Sequence, residues 1–371
     1  MNRRERLLSA LACEIPDRVP ISTYELVGYN SKAFENNEPS YTRLMDVIRE
    51  KTDCICMWNP ATNVTFLKTS YPVEQHVEHH REEDRTVTKI VIQTPKGPLS
   101  YTNKTLDNVY TTWATERWCK SSEDVDRALS VPYEPVQYND LDYPRIQEEV
   151  GDNGIIMASL GDALCVAAEL MEMGAYTVWA MTETEHFART IDALHEQIME
   201  NLRRMLDVNV VDLYRICGPE YATPPYLPPE FFARFVVPQN RDMVDLIHSK
   251  GGKVRLHSHG RIGKVLDMIL ETGADGTDPC EGPPDGDIGL ADIKKRLGRK
   301  MSIFGNLQLK LLELGSEADV ENVVKDCMAA AKEGGGYVIM PTAAPINVPL
   351  AEKTERNYIR FIDTALEYGQ Y

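Results

Sequence analysis

No stretch of the chain approaches the roughly 20 consecutive apolar residues needed to cross a membrane. Positive charge is also short: 40 Lys and Arg stand against 57 Asp and Glu, a formal charge of −17. That balance excludes nucleic acid and anionic membranes as general partners, although a local basic pocket for an anionic substrate stays open. The opening residues MNRRERLLSALACEIPDRVP are charged and amphipathic without the apolar core of a signal peptide. The eight cysteines form no CxxC pair, and only Cys54 and Cys56 lie close together. Reduced thiols in a cytoplasmic protein are therefore expected. Neither GxGxxG nor GxxxxGK(S/T) follows any predicted strand, which removes the main support for a nucleotide-binding open sheet. There is no internal repeat beyond the strand–helix rhythm, and no low-complexity linker.

What the sequence does contain is organised around KVRLHSHG, Lys253–Gly260. It reads as a short strand ending in two histidines and a glycine. Side chains alternate along a strand, so His257 and His259 share a face. Two imidazoles at a strand end are half of a metal site or a polar cluster for an anionic substrate.

The surrounding rhythm predicts the fold. Strands are expected near Val19 and Ile55, then at Gly154–Gly161, Val210–Cys217, Lys253–Gly260, Gly273–Pro279, Met301–Asn306 and Gly336–Ala343. Helical patterns fall between the later ones at Ala163–Met173, Glu183–Asp207, Pro229–Lys250, Gly263–Thr272, Leu290–Leu297 and Ser316–Glu333, and Glu352–Tyr368 closes the chain. Alternation of this kind predicts an α/β protein, a (β/α)8 TIM barrel in one domain over residues 1–371. Thr65–Thr115 breaks the rhythm. Its Thr/Val alternation and the Pro95–Gly97 turn predict an inserted antiparallel β segment. His76, His79 and His80 lie there among Glu and Arg, which reads as a solvated face.

Barrel chemistry gathers where strands end. The predicted strand ends carry Tyr24, Glu25, Trp58, Asn59, Ser159, Gly161, Asp162, Arg215, Glu220, Tyr221, Asp278, Cys280, Asn306, Gln308 and Thr342. Of these, Arg215, Asn306, Asp278 and Tyr24 are the catalytic candidates. Asn59, Trp58, Glu220, Tyr221, Gln308 and Thr342 are the candidates for holding substrate. His257, His259 and Glu281 have the ligand types of a His2Glu zinc site with one open position. The competing readings are helix capping for Asp162 and Asp278, and an ion pair with Glu220 or Glu25 for Arg215. Cys217 and Cys280 are soft ligands or buried inert thiols.

Several phrases resemble the uroporphyrinogen decarboxylase superfamily. They are RRERLLSALACEIPDRVPI, HSHGRIGKVLDMILETGADG, IFGNLQ, and GGGYVIMPTAAP followed by PLAEKTERNYIRFIDTALEYG. The likeness runs through nearly the whole chain in order, apart from the inserted segment. It implies a (β/α)8 barrel, commonly dimeric, and either haem-pathway decarboxylation or methyl transfer involving a corrinoid protein, a thiol or a folate. The decarboxylases carry an arginine-rich loop after the first strand, where this chain has YELVGYN. They carry an aspartate after the second, where it has MWNPA with Asn59, and a late histidine where it has MPTAAPI. Turnover of uroporphyrinogen is therefore not expected. Zinc-dependent methyltransferases carry His-x-Cys and a later Cys. Here His257 matches the first ligand, His259 stands in place of the second, and Thr342-Ala343 in place of the last. The resemblance implies a methyltransferase with a small-molecule substrate and a corrinoid supplied by a partner protein. The zinc set of His257, His259 and Glu281 read from the strand ends would be a harder site than the family's thiolate one, suited to an oxygen donor such as a methoxy substrate. Its rivals are a metal-free decarboxylase or lyase in which Arg215 holds a carboxylate, and a non-catalytic tetrapyrrole or corrinoid binder.

Overall fold

A computed structural model describes residues Met1–Tyr371. Seven parallel strands form one curled sheet in chain order: β1 (Cys54–Met57), β6 (Gly154–Gly161), β7 (Leu213–Cys217), β8 (Lys253–His257), β9 (Gly276–Asp278), β10 (Ser302–Leu307) and β11 (Tyr337–Pro341). Between β1 and β6 lies a separate antiparallel sheet of β2 (Gln75–Arg81), β3 (Arg85–Thr94), β4 (Gly97–Leu106) and β5 (Thr112–Glu116). Residues 19–22 close the parallel sheet into a (β/α)8 barrel. Ile21 bridges Ile339 of β11 in parallel, and its carbonyl accepts from the Asp53 amide at 2.8 Å beside β1.

Charge burial pins that closing segment. The Asp53 carboxylate is fully buried and accepts from Arg6 at 2.7 Å, Arg18 at 2.7 Å and the Ile21 amide at 2.8 Å. Removing one partner from such a buried cluster leaves an uncompensated charge, so these contacts specify where the first stave sits.

The strand period then sorts the barrel interior into layers. Ile55, Ile155, Met157, Leu213, Phe304, Val338 and Met340 pack with Leu7, Ala10 and Leu11 of the helix Arg3–Leu11, which plugs the amino-terminal end of the strands. Two residues past Leu213 on β7 the inward side chain is Arg215, and beside it in register on β8 stands Arg255, both buried. The apolar floor thus gives way to charge toward the carboxyl-terminal end.

Several predicted elements differ in detail. The helix expected over Ala163–Met173 ends at Leu170, and a second runs Met173–Thr182. The break falls at Met171, which is extended. The helices Ser122–Ala128 and Tyr143–Val150 are short and escaped the periodicity reading. The antiparallel sheet begins at Gln75 rather than at Thr65. Every residue of β2 is exposed, with His76 against Glu78 at 3.0 Å and His79 against Thr88 at 3.0 Å, as a solvated face requires. No helix is long and apolar enough to cross a membrane.

Candidate active site

Strand β8 supplies the centre of the site. Arg255, His257 and His259 project on one side because they are spaced by two residues. Arg255 is sealed in the barrel, where its Nε lies 2.9 Å from Asp278 Oδ1 and its guanidinium lies 4.9 Å from the Phe304 ring. The second Asp278 oxygen is 2.8 Å from His257 Nδ1. One fully buried carboxylate therefore serves an arginine and a histidine together. Burial alone would raise the Asp278 carboxyl, but Arg255 and then His257 outweigh it and hold it well below the usual carboxylate range.

His259 repeats the arrangement nearer the opening. Its Nδ1 lies 3.1 Å from Glu281 Oε1, while Glu281 Oε2 accepts the Gly260 amide at 2.9 Å. Burial pulls the imidazole down, yet the Glu281 carboxylate reverses this and raises it above its ordinary 6.5. The two imidazoles stand edge to face with centroids 4.6 Å apart. Each is backed by a carboxylate on Nδ1, which leaves both Nε2 atoms without a protein partner.

Glycines make this spacing attainable. A side chain at Gly305, at φ +146°, would put Cβ 2.1 Å from the Pro279 carbonyl oxygen. One at Gly286 would fall 1.9 Å from the carbonyl oxygen of Glu281. Their absence lets the loop after β9 pack down on β10 and seat Glu281 beside His259.

Arg215 forms the neighbouring wall. It donates to Tyr24 Oη at 3.2 Å, to Glu25 Oε1 at 3.2 Å and to Ser159 Oγ at 3.4 Å. Its ion pair is thus with Glu25; Glu220 instead accepts the Gly218 amide at 2.9 Å. Burial pushes the Cys217 thiol up to about 11 despite Arg215, so it stays protonated at neutral pH.

The other predicted residues divide by position. Asp162 does cap a helix, accepting from the Cys165 amide at 2.9 Å, whereas Asp278 caps none and belongs to the site. Asn306 donates to the Cys280 carbonyl at 2.9 Å and supports the β9 loop. Trp58 donates to Asp142 at 2.9 Å and packs on Tyr143. Asn59 bonds Ser159 through its side-chain amide, extending the β1–β6 pairing. Tyr221 packs on Tyr176, and Gln308 lies 3.5 Å from Thr342 Oγ1. Cys280 is buried and inert. Sequence reasoning passed over Arg255, although its place two residues before His257 carried the signal.

A structural zinc site has four ligands and a catalytic one three from protein. Here both Glu281 oxygens are engaged beside His259, so Glu281 does not join His257 and His259 as a third donor. No group of three or more His, Cys, Asp or Glu side chains in the structure could hold a metal ion. The residues present do not fit the three-ligand set.

Comparison with known proteins places the chain, and not the details of this site, among relatives. The model of the uroporphyrinogen decarboxylase (URO-D) family matches residues 128–352. Among solved structures, a methyltransferase from Methanosarcina mazei superimposes over 99% of this chain and 99% of its own, at 17% identity and a TM-score of 0.61. That likeness is one of fold. A D-psicose 3-epimerase from Clostridium cellulolyticum H10 matches over 62% of this chain and 83% of its own at 10% identity, with a TM-score of only 0.34. No curated protein matches the chain.

Proposed function

Because the chain belongs to the uroporphyrinogen decarboxylase family, we propose that it is an enzyme acting at the carboxyl-terminal mouth of its barrel. There it moves a methyl group between a small substrate and a corrinoid protein or folate. The observation that carries this reading is the pair of carboxylate-backed imidazoles, His257 with Asp278 and His259 with Glu281, with both Nε2 atoms free. The full-length likeness of fold to a methyltransferase supports the direction of the chemistry.

Removing a methyl group from a methoxy substrate requires an acid at the leaving oxygen. His259 suits that role because Glu281 favours its charged form. In the step, the bond between methyl carbon and oxygen breaks as the methyl passes to the acceptor on the partner. The electron pair stays on oxygen, which takes the proton from His259 Nε2. Glu281 holds the His259 ring in place before and after transfer. His257 is oriented by Asp278, itself fixed by Arg255, and presents its Nε2 to the substrate from the deeper side. In the reverse direction the neutral His259 accepts the proton of an attacking hydroxyl.

The test is incubation with reduced cobalamin and a panel of small methoxylated compounds, following methylation by visible absorbance. Methyl transfer that falls at least about a hundredfold in His259→Ala is the expected result for loss of a general acid. No transfer from any compound under conditions that preserve the fold would sink the reading. Loss of CO2 from a carboxylated substrate is the second reading, favoured by the same raised His259 as the donor to a developing carbanion. Release of labelled CO2 without methyl transfer would put it first. In neither case is uroporphyrinogen the substrate, because the Tyr24–Asn30 loop carries no arginine for its carboxylates.

A further inference from the structure

Two guanidinium groups lie side by side on β7 and β8, and their counter-charges differ in kind. Arg255 is paired with Asp278, a carboxylate without any exposed surface, and is closed in by Phe304 and Met340. Arg215 is almost as deeply buried, with 8% of its side chain exposed. Yet its carboxylate partner is Glu25, whose side chain is 47% exposed and reaches in from the barrel rim through one oxygen at 3.2 Å. Glu25 makes no other side-chain hydrogen bond. The other carboxylates of the mouth are already engaged: Glu281 by His259 and Gly260, Glu220 by the Gly218 amide, and Asp278 by Arg255 and His257. The single Asp278 charge, which also acts on Arg215, is thus shared among three cationic partners.

The energetics of the two partners are unequal. A half-exposed carboxylate loses little by returning to water. A buried guanidinium left unpaired loses much more. Arg215 therefore retains a demand for an anion that Glu25 meets only loosely. Its orientation is set independently of Glu25, by the Tyr24 hydroxyl at 3.2 Å, the Tyr24 ring at 5.5 Å and the Ser159 hydroxyl at 3.4 Å. The guanidinium keeps its aim when Glu25 leaves, and a planar carboxylate matches its donors with both oxygens. The Tyr24 ring also lies 6.4 Å from the His257 ring, so a group held on Arg215 is one aromatic ring away from the imidazoles.

We propose that Arg215 anchors a carboxylate of the substrate, and that Glu25 is a built-in competitor occupying the anchor until substrate displaces it. This rests on reading the barrel mouth as the substrate site, and it assigns that site a short carboxylate-bearing molecule whose reacting end faces His257 and His259.

The experiment titrates the full chain with methoxyacetate, with 2-methoxyethanol as the uncharged counterpart and sulfate as a non-planar anion, read by calorimetry and by shift of the thermal midpoint. Methoxyacetate should bind the wild-type protein and 2-methoxyethanol should not. Glu25→Gln should bind methoxyacetate about tenfold more tightly, since self-competition is gone, with a larger upward shift of the midpoint on saturation. Arg215→Gln should abolish binding, and its own unfolding transition reports whether it is folded. An unchanged or weaker affinity in Glu25→Gln overturns the proposal, whatever Arg215→Gln does. Sulfate binding as tightly as methoxyacetate, with the same gain in Glu25→Gln, overturns the assignment to carboxylates. The binding pattern without methyl transfer sinks only the reaction proposed above; methyl transfer without the pattern sinks only the anchor.

Discussion

Arg255 Nε and Asp278 Oδ1 lie 2.9 Å apart with 2% and 0% of their side chains exposed, and the same carboxylate holds His257. A charge pair so deep in a barrel is weak evidence for stability but strong evidence that neither member can be removed alone. Arg255→Met should destabilise the fold by about 3–5 kcal/mol, and Asp278→Asn by a similar amount, because each leaves the other charge buried and unpaired. The double variant should lie closer to wild type than the sum of the singles predicts. Urea denaturation of the four proteins completes the cycle, and simple additivity would contradict the coupling.

The acid role of His259 has a pH signature. Glu281 raises the His259 imidazole above its ordinary 6.5, so the protonated form persists into that higher range. The rate of methyl release should be sustained above pH 6.5 and fall as the imidazole finally loses its proton. Glu281→Gln removes the carboxylate and should move this basic limb downward, with a loss of activity largest at high pH. His259 also adds stability that is fully present below 6.5 and lost as pH rises through its raised folded value. A limb that stays in place in Glu281→Gln would remove His259 from the acid role.

Asp162 makes the opposite contribution. Burial pushes its carboxyl from 3.8 up to about 7, even though Asn240 donates to it at 3.0 Å and the Cys165 amide at 2.9 Å. Between those two values the folded protein holds a proton that the unfolded chain has released. Stability from this group therefore falls as pH rises across the window and is level above it. Asp162→Asn should flatten that decline. The Asn240 side-chain oxygen, which has no partner at present, can then turn to accept from the new amide. Chemical denaturation at pH 5 and pH 8 measures the difference, and an unaltered slope would assign the pH dependence elsewhere.

Metal removal should change little. Two imidazoles alone fall short of the three or four protein ligands that hold zinc tightly. Extended dialysis against a chelator should leave both the thermal midpoint and the methyl-release rate where they were. Elemental analysis should find well under one equivalent of zinc. A tightly held equivalent that disappears in His257→Ala would mean that Glu281 turns from His259 to complete a site.

The order of strands and helices was legible in the residues alone, because the switch between periods of two and of about 3.6 records which faces are buried. The shared face of His257 and His259 followed from the same period, and Arg255 could have been added to it. The antiparallel strands from Gln75 onward were legible for the same reason. What sequence could not supply is which charges meet across strands. Glu281 has the chemistry of a metal ligand, and only the packing of the β9 loop beneath Gly305 and Gly286 turns it toward His259 Nδ1. Asp278 reads equally well as a helix cap, and only the register of β8 against β9 sets it opposite His257. Glu25 and Glu220 are equivalent partners for Arg215 on paper. The closed barrel brings the first loop across to β7, while Glu220 turns back to its own backbone. Local periodicity determines where each side chain points, but long-range closure decides what it finds there. The chemistry of this site is therefore a property of the tertiary structure.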